Sequence, residues 1–281
     1  MRIRATVAAV TGALALSAFA VPAAQAADAP SGKAAFDNAV ASPRTAASLD
    51  VTFSGMKVNK GKAVVVGTTN KVNVPVTYTL THPANLDVSA ANFANGPLVY
   101  RGSKVTSPTG IFISDDPATC KATSSTRLSC SGVLTFRPAA GQLLSSDAGS
   151  WKAGGLAITK SGGEKWQGDL GTVLLQRYAK LTADATPEPV KKGRTLTVTG
   201  KLSRADWEDN KYHGYAGQSV KLQFRKKGAT TWTTLKTLKT DSYGNLKTTV
   251  TASVDGTFRY AFAGTSTTSA ISATGDYVDV Q

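Results

Sequence analysis

The stretch VKKGRTLTVTG, Val190–Gly200, decides the fold class of this chain. After a Lys-Lys-Gly turn, Leu196 and Val198 alternate with threonines, a period of two that is typical of a strand with one buried face. An earlier stretch, VNKGKAVVVGT at Val58–Thr68, repeats the pattern: an apolar residue, then Lys-Gly, a basic residue and a β-branched run. Two copies of one strand opening predict two β-sandwich domains in tandem.

The same alternation recurs along most of the chain, between turns rich in Gly, Pro, Asn and Asp. In the first half it predicts strands near residues 48–53, 62–66, 72–80, 97–100, 111–114, 127–136, 151–159 and 170–178. In the second half it predicts strands near residues 181–186, 196–198, 220–225, 232–238, 246–250, 258–262 and 277–280. We therefore predict an all-β chain of two antiparallel, immunoglobulin-like sandwiches, covering residues 48–179 and 180–281.

The N-terminus has the pattern of a secretory signal peptide. Arg2 and Arg4 precede an uncharged apolar run, and Ala24-Gln25-Ala26 is typical of a cleavage site. We predict that residues 1–26 are removed, that the protein is secreted, and that residues 27–47, rich in Ala, Ser and Pro, form a flexible leader. A short helix near residues 33–40 is a weaker prediction. No later apolar run is long enough to span a membrane, so no span is expected in the mature chain.

The chain of 281 residues is strongly basic, with a formal net charge of +14. Such a charge attracts polyanions, and outside the cell these are anionic cell-wall polymers, acidic polysaccharides or a membrane surface rather than nucleic acid. Between residues 221 and 247 only Asp241 opposes the cations, which predicts a positive face. Its residues are Lys221, Arg225, Lys226, Lys227, Lys236, Lys239 and Lys247. The alternative is that these are ordinary solvent-facing residues that keep sheet edges from pairing.

The segment ADWEDNKYHGYAG, residues 205–217, is richer in aromatic and acidic residues than a loop between two strands requires. Aromatic rings stack on sugars, and carboxylates bind hydroxyl groups or calcium. The candidate ligand residues are Asp206, Trp207, Glu208, Asp209, Tyr212, His213 and Tyr215. The alternative is that Trp207 and a tyrosine cap the core and that the acids are solvated.

Cys120 and Cys130 are the only cysteines, and in an oxidising compartment they are expected to form a disulfide. They do not have the spacing of metal ligands, so no metal or cofactor is predicted. His82 and His213 are the only histidines and fall in different predicted domains, and the chain contains neither a G-x-S-x-G elbow nor a phosphate loop. We predict a non-catalytic protein; the alternative is a hydrolase with an unrecognised pair of carboxylates.

Four stretches of the second predicted domain resemble a bacterial immunoglobulin-like domain of secreted actinobacterial, especially streptomycete, proteins. They are PEPVKKG (187–193), VKLQFR (220–225), FRYAFAGTST (258–267) and GDYVDV (275–280), and the resemblance covers nearly all of residues 181–281. Less distinctively, VNKG (58–61) and WKAGGL (151–156) resemble the usual N-terminal partner of such domains. The resemblance implies the fold and export, and it assigns no catalytic residue.

The predicted function is therefore weak association of a secreted, non-catalytic protein with the cell envelope or with extracellular polyanions. The alternative is a carbohydrate- or calcium-binding module that uses the loop Asp206–Tyr215.

Overall fold

A computed structural model describes residues 36–39 and 48–281 of the protein. The predicted signal peptide lies outside the described residues, and so does the predicted leader apart from residues 36–39. The described chain is built from strands, a helical turn at residues 36–39 and three short 3-10 turns, at Asn59–Gly61, Pro138–Ala140 and Ser145–Asp147. The strands are β1 (Thr52–Val58), β2 (Val64–Val66), β3 (Val72–Thr81), β4 (Phe93–Arg101), β5 (Gly110–Ile113), β6 (Thr119–Ser124), β7 (Arg127–Phe136), β8 (Gly149–Thr159), β9 (Glu164–Gln167), β10 (Thr172–Arg177), β11 (Ala179–Leu181), β12 (Asp184–Thr186), β13 (Thr195–Ala205), β14 (Tyr212–Gly214), β15 (Ser219–Lys226), β16 (Thr233–Lys239), β17 (Asn245–Thr251), β18 (Gly256–Phe262), β19 (Ile271–Ser272) and β20 (Asp276–Val278).

The chain divides into two compact units. The first runs to Lys62 and continues through Asn73–Thr135 and Trp151–Val173; the second consists of Ala63–Val72, Phe136–Ser150 and Leu174–Gln281. Two short segments before residue 150 thus belong to the second unit. The prediction of contiguous domains did not anticipate this division, because alternation identifies a strand without identifying what it packs against.

The first unit contains an antiparallel sheet in the order β1-β3-β7-β6. Strand β3 shows why it forms: its even-numbered residues from Val74 to Leu80 are buried while the residues between them are mostly exposed, as alternation predicts. Strand β4 pairs with β5 on one side and with β8 on the other, and β9 pairs with β8. Residues 36–39 are helical, and Phe36 and Ala39 are buried in the core of this unit. The prediction of a leader did not anticipate this burial.

Cys120 and Cys130 form a disulfide, as predicted, and they lie opposite each other on the paired strands β6 and β7. The bridge therefore joins two neighbouring strands within one sheet, and it closes a loop across a sequence separation of 10. Its stabilising effect comes mainly from limiting the unfolded chain.

We expect the double substitution Cys120→Ala/Cys130→Ala to lower the free energy of unfolding of the first unit by about 2–3 kcal/mol, because a short loop of the unfolded chain is released. Urea unfolding followed by circular dichroism measures the change. Chemical reduction of the unaltered protein should give the same loss. A double variant as stable as the parent would show that the strand pairing alone holds this hairpin.

Residues 179–281 of the second unit form two stacked sheets. In one, β13 pairs with β11, β12, β14 and β17; in the other, β15 and β18 are central, with β16, β19 and β20 beside them. Leu196 and Val198 of β13 and Val220 and Leu222 of β15 are fully buried in one cluster between them. The hydroxyl of Tyr260 in β18 donates to the Val198 carbonyl oxygen at 2.9 Å, so the one polar atom of this buried ring is satisfied.

The two copies of the stretch share the conformation of their glycine, although the turns before it differ: Asn59–Gly61 is a 3-10 turn with positive φ at Asn59 and Lys60, and the second copy has neither feature. Gly61 and Gly193 both have a φ of 80°, a left-handed conformation that favours glycine, and each precedes a strand. The first copy leads into β2, which pairs in parallel with Leu175–Arg177 of β10. The second leads into β13, which is antiparallel to its partners. The prediction of an all-β fold built of stacked, largely antiparallel sheets is confirmed. No helix in the described part of the chain is long and apolar enough to cross a membrane.

Candidate functional site

The candidate ligand loop, residues 205–217, joins β13 to β15 in the second unit. Within it, β14 turns back and pairs with the end of β13, so that Tyr212 lies opposite Ala205 and His213 lies opposite Arg204. The loop is therefore a hairpin extension of the sheet, and its side chains are positioned by that pairing.

Trp207 is a core residue of the second unit. Its side chain is 1% exposed, and the indole Nε1 donates to the carbonyl oxygen of Gly67 at 2.9 Å. Gly67 belongs to one of the two early segments that pack within this unit. A ring without an exposed face cannot stack on a sugar, so the prediction that Trp207 contacts a ligand is corrected: this residue caps the core.

The acidic residues of the loop are bound to groups of the protein itself. Asp206 lies 3.3 Å from the guanidinium of Arg177, and a carboxylate oxygen of Glu208 accepts the N–H of Ser145 at 2.8 Å. Asp209 lies 2.6 Å from Nε2 of His213, and this hydrogen bond holds the pKa of Asp209 below its usual value. Burial raises the pKa of Asp206, but hydrogen bonds with Glu208 and the charge of Arg177 outweigh it and lower the pKa overall.

Each of the two tyrosines of the loop is in contact with a neighbouring cation. Nζ of Lys180 lies 3.7 Å from the centre of the Tyr212 ring, and the guanidinium carbon of Arg204 lies 4.0 Å from that of Tyr215. Both rings are half-buried. The structure brings the seven predicted loop residues together as a network that attaches the hairpin to the sheet. It leaves Asp209 and His213 as an exposed pair.

The sheet centred on β15 presents a different surface. Val220 and Leu222 point into the core, so Lys221, Gln223 and Arg225 of the same strand point outward. The register places Lys239 of β16 beside Ser219 and places Arg259 of β18 beside Gln223. We call the outward side chains Lys221, Gln223, Arg225, Lys239 and Arg259, together with Trp232, the cationic face.

The other predicted basic residues lie elsewhere. Lys227 is paired with Asp255 at 3.1 Å, and Nζ of Lys236 donates to the Thr249 carbonyl oxygen at 2.5 Å, which ties the edge strand β16 to β17. Lys247 lies on β17, in the opposite sheet. Lys226 is exposed at the end of β15, and alternation along the strand places it on the side of Val220 and Leu222 rather than on the cationic face. Of the seven predicted residues, the structure therefore brings three, Lys221, Arg225 and Lys239, onto one face.

Trp232 lies at one end of the cationic face, just before β16, and contacts two of its cations. The guanidinium carbons of Arg259 and Arg225 lie 3.9 Å and 4.7 Å from the centre of its ring. Nε of Arg259 donates to the side-chain oxygen of Gln223 at 2.9 Å. Burial, and then the charge of Arg225, lower the pKa of Arg259, as expected for two like charges held close together.

Trp232 and Arg259 were not among the predicted site residues. Alternation of Arg259 with Phe258 and Tyr260 does indicate that it faces solvent. What the sequence does not contain is the pairing of β18 with β15, which places Arg259 next to Arg225 on a strand more than thirty residues earlier.

The histidines show no arrangement for catalysis. His82 is buried in the first unit, with its Nδ1 2.9 Å from the carbonyl oxygen of Pro83, and His213 is engaged with Asp209 in the second. Across residues 36–39 and 48–281, no group of three or more His, Cys, Asp or Glu side chains is placed to hold a metal ion.

No protein-family model and no curated protein sequence matches the chain. Solved structures do match. A chimeric titin Z1Z2 carrying a decorin peptide is 10% identical and covers 84% of this chain and 98% of its own, with a TM-score of 0.23. The adhesin InvE of Yersinia pseudotuberculosis is 12% identical over 81% of this chain and 58% of its own, with a TM-score of 0.26. The D00–D0 domain of intimin is 12% identical over 81% and 99%, with a TM-score of 0.27. These TM-scores are low, and the fold described above follows from the sheets of this chain itself.

Proposed function

We propose that this is a secreted, non-catalytic protein that associates with anionic polymers outside the cell through the cationic face. The observation that supports this most directly is the sign of the charges. On the outward positions of β15, β16 and β18, all fully described, every ionisable side chain is basic and none is acidic. The ionisable residues are Lys221, Arg225, Lys239 and Arg259; the other outward positions are Ser219, Gln223, Thr234, Thr237, Thr257 and Ala261.

Uncompensated cations on one side of a sheet favour a polyanion for two physical reasons. Their fields add, which raises the local concentration of anionic groups and speeds their association. A repeating polymer can also satisfy several cations at once, so that weak contacts combine into useful affinity. The chain as a whole carries 32 basic and 18 acidic residues, so long-range attraction acts in the same direction.

The test compares two charge reversals of equal size. Lys221→Glu/Lys239→Glu alters the cationic face, and Lys201→Glu/Lys247→Glu changes the net charge equally on the opposite sheet, where both residues are exposed. We expect the first pair to weaken binding to immobilised polygalacturonate or polyphosphate by about tenfold or more and the second by less than about threefold, because charges act mainly within a Debye length. Binding of the parent protein should fall steeply as sodium chloride is raised.

Equal losses from the two pairs would show that only total charge matters and would reject this face as the site. Binding that is indifferent to salt, or no binding to either polymer, would reject polyanion association altogether. Circular dichroism of both pairs verifies that the fold is retained.

A further inference from the structure

The cationic face contains a tryptophan that lies outside the hydrophobic core. Trp151 and Trp207 are each 1% exposed, and Trp166 packs against the core of the first unit. Trp232 instead is half-exposed on the outer side of a sheet and contacts polar groups. Its indole extends across the sheet: its Cη2 atom would lie 3.5 Å from a Cβ built on Gly275, at the start of β20.

Two guanidinium groups meet at this ring without an acid to neutralise them. Arg225 and Arg259 both lie within 4.7 Å of the ring centre, and neither forms a salt bridge within the described part of the chain. Gln223 is fixed by accepting from Arg259, which leaves its amide N–H groups without a partner among the described residues. Exposed apolar area, two unpaired guanidinium groups and a free amide donor are therefore concentrated in one place.

We propose that Trp232, Arg225, Arg259 and Gln223 form a subsite for a hexuronate unit of an acidic polysaccharide. This inference rests on the proposed function and specifies its ligand. A planar carboxylate accepts two parallel hydrogen bonds from a guanidinium group. The apolar C–H face of a pyranose packs on an indole, and a sugar hydroxyl accepts from the amide of Gln223. A polyphosphate chain supplies charge but no apolar face, so it gains nothing from Trp232.

The experiment measures affinity of the whole protein for polygalacturonate and for polyphosphate at one ionic strength. Trp232→Ala removes the ring, and Arg259→Lys keeps the positive charge but loses the two-point geometry. We expect each to weaken binding to polygalacturonate by about tenfold: Arg259→Lys loses a two-point charge-assisted contact, and Trp232→Ala loses the apolar contact with the sugar ring. Binding to polyphosphate should change by less than about twofold with Trp232→Ala, because phosphate groups gain nothing from the ring. Arg259→Lys should weaken binding to polyphosphate as well, since a guanidinium group binds phosphate in the same two-point geometry. Lys221→Ala, on the same face, is the matched control and should weaken binding to both polymers to the same extent.

The outcomes separate the two proposals. If both polymers bind and Lys221→Ala weakens them, but Trp232→Ala affects them equally or not at all, or Arg259→Lys leaves binding to polygalacturonate unchanged, the hexuronate subsite is overturned while polyanion association stands. If neither polymer binds the parent protein, the proposed function fails and the subsite with it. Because Trp232→Ala alters packing, unchanged binding of this variant to polyphosphate verifies that the rest of the cationic face is retained. Neutral dextran should not bind to any of the proteins.

Discussion

Replacing Trp207 with alanine is expected to lower the free energy of unfolding of the second unit by about 3–5 kcal/mol, the cost typical of removing a buried aromatic side chain. The ring is 1% exposed, so its loss leaves a cavity, and the carbonyl oxygen of Gly67 loses its hydrogen bond. Urea unfolding followed by far-ultraviolet circular dichroism measures the change, since this signal does not depend on tryptophan emission.

Two matched variants separate the causes. Trp207→Phe retains most of the buried area but not the N–H donor, and should cost less than the alanine variant. Trp232→Ala removes the same side chain from a half-exposed position and should cost about 1 kcal/mol. If Trp207→Ala were no more destabilising than Trp232→Ala, Trp207 would not be a core residue, and the loop Asp206–Tyr215 would again be a candidate ligand site.

Replacing Gly200 with alanine is expected to cost about 3 kcal/mol or more, which is at the upper end for overpacking. This glycine ends the stretch Val190–Gly200 and lies in the middle of β13, opposite Leu246. A Cβ there would lie 2.4 Å from the carbonyl oxygen of Thr182 and 2.7 Å from the ring of Tyr260. One neighbour is backbone and the other is a fully buried ring held by a hydrogen bond, so neither can move without disturbing the core.

Gly193, in the same stretch, provides the control. A Cβ added to Gly193 meets nothing within 4 Å, although its φ of 80° is strained for any other residue. Gly193→Ala should therefore cost only about 1 kcal/mol, from backbone conformation alone. Thermal unfolding of the two variants side by side measures the difference, and equal losses would contradict the close contact at Gly200.

For both Trp207 and Gly200, the local sequence pattern indicates a different environment from the one that the structure shows. Trp207 lies in a polar segment, where its acidic neighbours favour a binding loop, yet it is buried because its indole reaches the backbone at Gly67, 140 residues earlier. Gly200 follows a regular run and looks like the end of a strand, yet β13 continues to Ala205. In both cases the deciding neighbour is remote in the chain.

The composition of the cationic face also could be predicted only in part, because it depends on contacts between strands far apart in the sequence. Counting charges between residues 221 and 247 correctly indicates an excess of cations, and alternation correctly turns Lys221 and Arg225 outward. Counting could not show that Lys236 is tied to β17 or that Lys247 belongs to the other sheet. Strand parity is a local property with a period of two, whereas sheet membership depends on pairing.

The amino-acid order by itself determined that this chain is all-β, where most of its strands run, which side of each strand is apolar, and that its two cysteines can be joined. It could do so because alternation and turn chemistry act over a few residues. Only the tertiary structure decided that residues 63–72 and 136–150 pack in the second unit, that Trp207 is internal, and that Trp232 meets Arg225 and Arg259 on one surface. Each of these features depends on which distant strands pack together. Many strands have similar apolar faces, so their packing partners are determined only when the apolar surface of all the strands is buried together.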